Sequence, residues 1–435
     1  MPCNLLVPVR RIFNAFLMIF VLLGLVLLNL AWAAPKENSL YSFNGGSNDG
    51  SAPVGGVVAD PSGNLYGTAA TGGSYTDCSP FGQTCGVVFE LTPSGAGWTE
   101  TVLYTFTGGL DGGEPLASLV LDSQGNLYGT TAIGGRFGNG TVFMLSFVSG
   151  TWSESVLYSF HGGIDGAYPQ SALTLHDGSI YGTTYAGGGN SCLGASQGCG
   201  TVFQLQPGNN GWTENVLYRF TNGADGAFPY ASLLIDPAGN LYGTTTQGGY
   251  LSGNCAPYGC GNIFQLKHDA SGWTLNPLHA FTYDTDGSAP IGGLFAGPHG
   301  TLYGTASGGG AGFSGTVFQL AYAKGAWTFS LLYTFSGPDG AAPEASLVGK
   351  GKYLFGTTHG GGSGSGCFFG SPCGTVFMLT ATAGGWKETV VHSFTNNGTD
   401  GTYPEDNLIL SQAALYGTTN AGGTADKGTV FAVTP

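Results

Sequence analysis

Charge is what this chain has least of. Only 8% of its 435 residues are Asp, Glu, Lys or Arg, and the basic ones number 11 against 25 acidic. The resulting net charge of −14 repels phosphate backbones, whose binding needs clustered Lys and Arg to displace counterions. Nucleic acid and anionic membrane surfaces are therefore excluded as partners, while cations, neutral sugars and basic proteins remain. Catalytic signatures are scarce too. Seven histidines (161, 176, 268, 279, 299, 359 and 392) are scattered, and His279 and His392 stand where equivalent segments carry tyrosine, a structural role. No Gly-x-Ser-x-Gly elbow follows a strand and opens a helix. Glycine-rich phosphate motifs carry no weight where glycine fills 80 positions. That glycine lacks a three-residue period, which excludes collagen, and a hydrophobic content of 42% excludes a disordered chain.

A long apolar run occurs once. Arg10 and Arg11 precede an apolar stretch from Ile12 to about Leu30, followed by Ala31-Trp32-Ala33-Ala34-Pro35. This is the order of an export signal, with cleavage expected after Ala33 so that residues 1–33 are removed. The competing reading is an uncleaved anchor.

What is present is repetition. Leu-Tyr-Ser-Phe at Leu40 recurs in variant form at Leu103, Leu157, Leu217, Leu278, Leu332 and Val391, at intervals of 54 to 63 residues. Asp-Gly-x-x-Pro follows every copy, starting at Asp49, Asp111, Asp165, Asp225, Asp286, Asp339 and Asp400. A segment like Asn126-Leu127-Tyr128-Gly129-Thr130-Thr131 comes next, then Gly-Gly, then one like Thr141-Val142-Phe143-Met144-Leu145, and usually a tryptophan. The second unit holds four runs of β-formers, Ala117–Asp122, Asn126–Thr131, Thr141–Leu145 and Trp152–Phe160, apolar on both faces. Four-stranded sheets buried on both faces and repeated seven times predict an all-β, seven-bladed β-propeller over residues 34–435. The first unit supplies only a fourth strand, Leu40–Phe43, and the last stops after its third. The N-terminal strand is thus expected to complete the last blade and close the ring.

Eight of the nine cysteines form close pairs between the second and third strands: Cys78 with Cys85, Cys192 with Cys199, Cys255 with Cys260, and Cys367 with Cys373. They occur only in the longer units, so the extra residues are cysteine-closed loops. Local disulfides and an oxidising compartment follow. One pair per blade, with no histidine near in sequence, does not supply the four ligands of a zinc site, and no metal or cofactor is expected. Asp284-Thr285-Asp286-Gly287 resembles only a fragment of a calcium loop.

In a propeller, the loop entering each blade and the loop between its second and third strands share one rim. The seven Asp-Gly aspartates recur in every unit, which suits turn-building rather than ligand binding. Functional residues are sought where the units differ: Glu114, Tyr168, Gln170, Phe228, Tyr230, Glu344, Tyr403, Glu405 and Asp406 beside the repeated proline, with Arg136, Phe137, Tyr185, Tyr250, Tyr258, Phe313, Phe368 and Phe369 on the same rim. Aromatic faces with interspersed carboxylates suit neutral sugars. The expected role is a binding or adhesion module for an extracellular glycan or other surface polymer, acting as a monomer. The alternatives are a polysaccharide hydrolase or lyase using Glu114, Glu344 or Glu405 as acid and base, or a purely structural surface protein.

The Asn-Leu-Tyr-Gly-Thr-Thr, Gly-Gly and Gly-Thr-Val-Phe strings resemble the GloVer repeat of the choice-of-anchor tandem repeat GloVer-containing proteins, across roughly residues 38–435. The resemblance implies an extracytoplasmic β-repeat protein of bacteria and transfers no catalytic residues. Such proteins often carry a C-terminal sorting tail, whereas this chain reads Thr434-Pro435 there. Secretion or periplasmic residence is accordingly expected rather than surface attachment.

Overall fold

The computed structural model describes residues 36–435 apart from 77, 79–82, 96, 190, 193–196, 271 and 368–370. The expected signal segment and its cleavage point lie outside the described residues. Seven four-stranded antiparallel sheets account for nearly all the regular structure. Each blade runs from a short inner strand to a long outer hairpin. In the second blade these strands are Val120–Leu121, Leu127–Thr131, Thr141–Val148 and Thr151–Ser159. The inner strand is shorter than the sequence suggests, because the residues before it serve the mouth of the channel. The seventh sheet orders Lys36–Ser42, Thr429–Thr434, Ala414–Thr419 and Ile409–Ser411, so the first strand completes the last blade and the ring is closed. Phe43 N–H donates to Gly428 O at 3.0 Å just beyond this pairing.

The repeated letters have direct structural causes. Each third strand begins Thr-Val-Phe or a close variant, with the second residue packed toward one neighbouring blade and the phenylalanine toward the other. The phenylalanine ending every outer strand meets the third-strand phenylalanine of the next blade edge-on. Ring centroids lie 5.1 Å apart for Phe106–Phe143 and 5.2 Å for Phe160–Phe203. The closing pairs match: Phe394–Phe431 at 5.1 Å and Phe43–Phe89 at 5.0 Å. All of these rings are fully buried. The glycine of Leu-Tyr-Gly-Thr makes room for them. A Cβ on Gly243 would stand 2.6 Å from Phe264 Cζ, closer than real Cβ atoms approach.

A second stitch joins the blades. The second-strand threonine donates its hydroxyl to a carbonyl of the next blade, as in Thr68 to Ala117 at 2.9 Å, Thr305 to Ala345 at 2.9 Å and Thr418 to Gly55 at 3.1 Å. The last of these crosses from the seventh blade to the first.

The four close cysteine pairs are disulfide-bonded: Cys78–Cys85, Cys192–Cys199, Cys255–Cys260 and Cys367–Cys373. Cys78 Sγ lies beside Gly108 and Gly113, so this loop braces the Asp-Gly turn next to it. Four disulfides suggest an oxidising, extracytoplasmic environment. Among the described residues, no helix is long and apolar enough to cross a membrane.

Candidate functional site

The loop entering each blade is built around its aspartate. Asp111 Oδ2 accepts from Thr107 N at 2.8 Å and from the Tyr104 hydroxyl at 3.1 Å. Asp165 does the same with His161 N at 3.0 Å and Tyr158 at 2.9 Å, and Asp339 with Ser336 N at 2.8 Å and Tyr333 at 2.6 Å. Asp225 accepts from Thr221 N at 2.8 Å and Asp49 from Asn44 N at 2.7 Å. Asp286 and Asp400 meet histidine in place of tyrosine, His279 at 2.9 Å and His392 at 3.2 Å. These carboxylates tie their loops to the outer strands, away from the channel axis.

The residue before each proline, Ala52, Glu114, Tyr168, Phe228, Ala289, Ala342 or Tyr403, has a left-handed backbone with φ between 49° and 59°. Such a conformation costs a non-glycine residue on the order of 1 kcal/mol. Hydrogen bonds to both flanking blades hold it: Glu114 N donates to Cys85 O at 2.9 Å, and Glu114 O accepts from Ala132 N at 3.0 Å. With this residue clamped, the proline and the residue after it are aimed at the axis.

The residues following the seven prolines are Val54, Leu116, Gln170, Tyr230, Ile291, Glu344 and Glu405, and all line one cavity of about 350 Å³. Seven equivalent positions thus carry three aliphatic residues, an amide, a tyrosine and two glutamates. Tyr230 and Tyr185 form an aromatic wall, with ring centroids 6.3 Å apart and Phe228 stacked behind Tyr185 at 4.9 Å. Glu344, Glu405, Asp406 and Asn407 form a wall of acceptors contributed by the sixth and seventh blades. His359 sits between the two glutamates, its Nδ1 3.4 Å from Glu405 Oε1 and 3.9 Å from Glu344 Oε2, with its ring stacked on Tyr403 at 4.9 Å. Asn420 Nδ2 donates to the same Glu405 oxygen at 2.8 Å.

Burial and charge set the protonation here. Burial pushes the Glu344 carboxyl up, His359 pulls it back, and Glu405 pushes it up again. Burial opposes a charge on His359, but Glu405 and Glu344 outweigh it, so the imidazole is held above its usual range. The Tyr230 hydroxyl is pushed up to about 12, first by burial and then by Glu405, Asp406 and Glu344. Tyr230 therefore stays a neutral hydrogen-bonding group at any physiological pH.

Asp406 stands where the other units have glycine, alanine or serine. Its carboxylate crosses the mouth to accept from Gly56 N at 2.6 Å and from the Ser118 hydroxyl, joining the seventh blade to the first two. Asn407 Oδ1 reaches the other way and accepts from Ser346 N at 2.6 Å. At this junction the threonine stitch fails: Thr357 Oγ1 is buried without a hydrogen-bond partner, whereas the equivalent threonines of the other six blades donate across. A stranded buried hydroxyl costs about 1–3 kcal/mol. Departures from a repeat's own rule that carry such a cost mark functional positions more often than structural ones.

The structure thus gathers Gln170, Tyr185, Tyr230, Glu344, Glu405 and Asp406 around one cavity, with Phe228 and Tyr403 supporting its walls. Glu114 and Tyr168 do not line it. They occupy the clamped positions before proline. Phe137 stacks on His161 at 3.9 Å beneath Arg136, and Tyr250, Tyr258 and Phe313 are exposed on loops. Phe368 and Phe369 lie outside the described residues. Sequence reasoning missed His359, Asn407 and Asn420. The signal existed for His359, which follows Gly-Thr-Thr where other units place Ala132, Thr246 or Ser307.

A Gloeobacter/Verrucomicrobia repeat matches residues 26–195 and again 191–369. The chain belongs to the Gloeobacter/Verrucomicrobia repeat family. No curated protein matches it. Among solved structures, this Gloeobacter/Verrucomicrobia repeat propeller is similar to a candidate 6-phosphogluconolactonase from Bacteroides uniformis, at 17% identity and a TM-score of 0.50, over 84% of this chain and 91% of that one. A Lactobacillus plantarum protein is similar at 14% identity and a TM-score of 0.49, over 83% and 90% of the two chains. At these identities the likeness is one of fold.

Proposed function

We propose that the protein is an exported binding module, secreted or periplasmic, that takes a glycan at the axial mouth. The observation that carries this reading is the asymmetry of that mouth: Tyr185 and Tyr230 face Glu344, Glu405 and Asp406 across one cavity, at positions that a repeat would otherwise keep alike. A sugar ring stacks its C–H face on an aromatic side chain while its hydroxyls donate to carboxylates. Among the described residues, no Lys or Arg lines the cavity, which suits a neutral rather than an acidic saccharide. A volume of about 350 Å³ falls within the small-ligand range. The ligand is held by a monomer and involves no nucleic acid.

One observation favours a second reading. A histidine between two glutamates, one with its carboxyl pushed up by burial, is also an arrangement for acid–base work on a polysaccharide. One experiment separates the two. Purified protein is incubated with a panel of neutral polysaccharides, scoring retention of the protein and release of oligosaccharides. The binding reading expects retention without release, weakened at least tenfold by Tyr185→Ala. Released product abolished by Glu344→Gln would replace binding with hydrolysis. Neither retention nor release would remove both.

A further inference from the structure

The outer strands carry a second ring of side chains, independent of the axial mouth. At each blade junction the Asp-Gly aspartate meets two residues: the aromatic of the Leu-Tyr-Ser-Phe segment on one blade, and the second residue after the tryptophan (or its equivalent) on the next. The aromatic position is tyrosine in five units and histidine in two, His279 and His392. The partner position is glutamate in five units, with Leu275 and Phe329 in the others. His279 faces Phe329 and stacks on it, with ring centroids 3.8 Å apart and planes at 9°. His392 faces Glu37. Among the described residues, this is the junction where donor atoms of imidazole, aspartate and glutamate draw close enough to share one ion.

The geometry there is that of a coordination site. One donor atom from each of Glu37, His392 and Asp400 lies within 4.8 Å of the other two. His392 Nε2 stands 3.2 Å from Asp400 Oδ2 and 3.4 Å from Oδ1. Two ligands at zinc-bond length in a tetrahedron are roughly 3.3 Å apart. Glu37 Oε1 is buried with no hydrogen-bond partner, as at the other junction glutamates, but here a histidine and an aspartate donor atom stand within 4.8 Å of a glutamate oxygen. Asp400 is oriented from behind by Thr395 N at 2.9 Å, as outer partners orient metal-binding carboxylates. An imidazole with two carboxylates selects a borderline divalent ion over calcium, which requires six or more oxygens.

We propose that Glu37, His392 and Asp400 bind one zinc-class divalent cation, with the fourth position left to water. Because Glu37 lies on the strand that completes the seventh blade and His392 on the outer strand of the sixth, the ion pins the ring at its closure. A ligand that binds the folded state alone stabilises it, and the gain rises with the logarithm of ligand concentration over Kd.

The test is a calorimetric titration of untagged, EDTA-treated protein, purified from full-length expression, with zinc chloride at pH 7.5. Thermal denaturation is followed in parallel. One zinc per chain and a raised melting temperature are expected. His392→Tyr installs the residue that five other junctions already use, so the fold is retained, and affinity is expected to fall roughly tenfold or more. Glu37→Gln, which keeps the side-chain shape, is expected to do the same. His279→Tyr is expected to change nothing. Absence of saturable one-to-one uptake by the unaltered protein would overturn the proposal, as would equal uptake by His392→Tyr.

Discussion

Acidification from pH 8 toward pH 5 is expected to stabilise this propeller. Besides the Glu37 junction, four junctions of the outer ring carry a half-buried glutamate beside an Asp-Gly aspartate: Glu100 by Asp49, Glu154 by Asp111, Glu214 by Asp165 and Glu388 by Asp339. Burial, then the neighbouring aspartate, pushes each carboxyl from 4.5 up to about 7, with Arg219 opposing the rise only at Glu214. Tyr41, Tyr104, Tyr158 and Tyr333 share these junctions and are themselves held protonated by burial and by the same carboxylates. Each glutamate also has an Oε1 that is buried and unpartnered. A folded-state pKa above the unfolded one means that the native state holds more protons between the two values. The associated stability is complete below about 4.5 and is lost as pH rises through about 7. Unscreened, that shift corresponds to roughly 3 kcal/mol per site, but half-exposed groups are screened, which leaves on the order of 1 kcal/mol each. Four sites then give roughly 4 kcal/mol, or about 5 °C in a propeller of this size. Thermal denaturation between pH 5 and pH 8 reads it directly. The melting temperature is expected to fall across that interval, and Glu→Gln at all four positions to flatten the profile. A melting temperature that stayed level or rose toward pH 8 would refute the reasoning.

Two further outcomes follow from the packing. Gly243→Ala places a Cβ against the Phe264 ring and is expected to destabilise by about 1–3 kcal/mol in urea denaturation, although alanine ordinarily favours regular structure over glycine. Phe43→Ala is expected to cost about 3–5 kcal/mol, as much as Phe160→Ala, because both rings are fully buried against a neighbouring blade. A loss under about 1 kcal/mol at Phe43 alone would mean that the closing junction is weaker than the internal ones.

The fold was legible because each repeat states its own geometry several times over. Gly129 cannot be larger beneath Phe143, Pro115 follows a clamped residue that redirects the chain to the axis, and Phe106 must find Phe143 in the next blade. Such local requirements recur in register, so six complete copies and two partial ends were enough to derive a closed ring. The cysteine pairs were legible for the same reason, each lying within one short loop of one blade.

The candidate site was half legible. Variation beside the repeated prolines pointed to Tyr230, Glu344, Glu405 and Asp406, but the same criterion selected Glu114 and Tyr168, which precede their prolines and do not line the cavity. Residues two positions apart, on either side of one proline, differ in whether they line the cavity, and the sequence does not say which. His359 and Asn420 were missed because they arrive from second strands, on blades whose entry loops already supplied the glutamates. The outer Glu37–His392–Asp400 group was hidden more completely, since its members come from opposite ends of the chain and meet only when the ring shuts. Sequence by itself determined the blade, the number of blades and their closure, because those depend on contacts between neighbours that every unit repeats. Tertiary structure alone decided which unlike residues face one another, because that depends on the curvature of the whole circle, which no single repeat encodes.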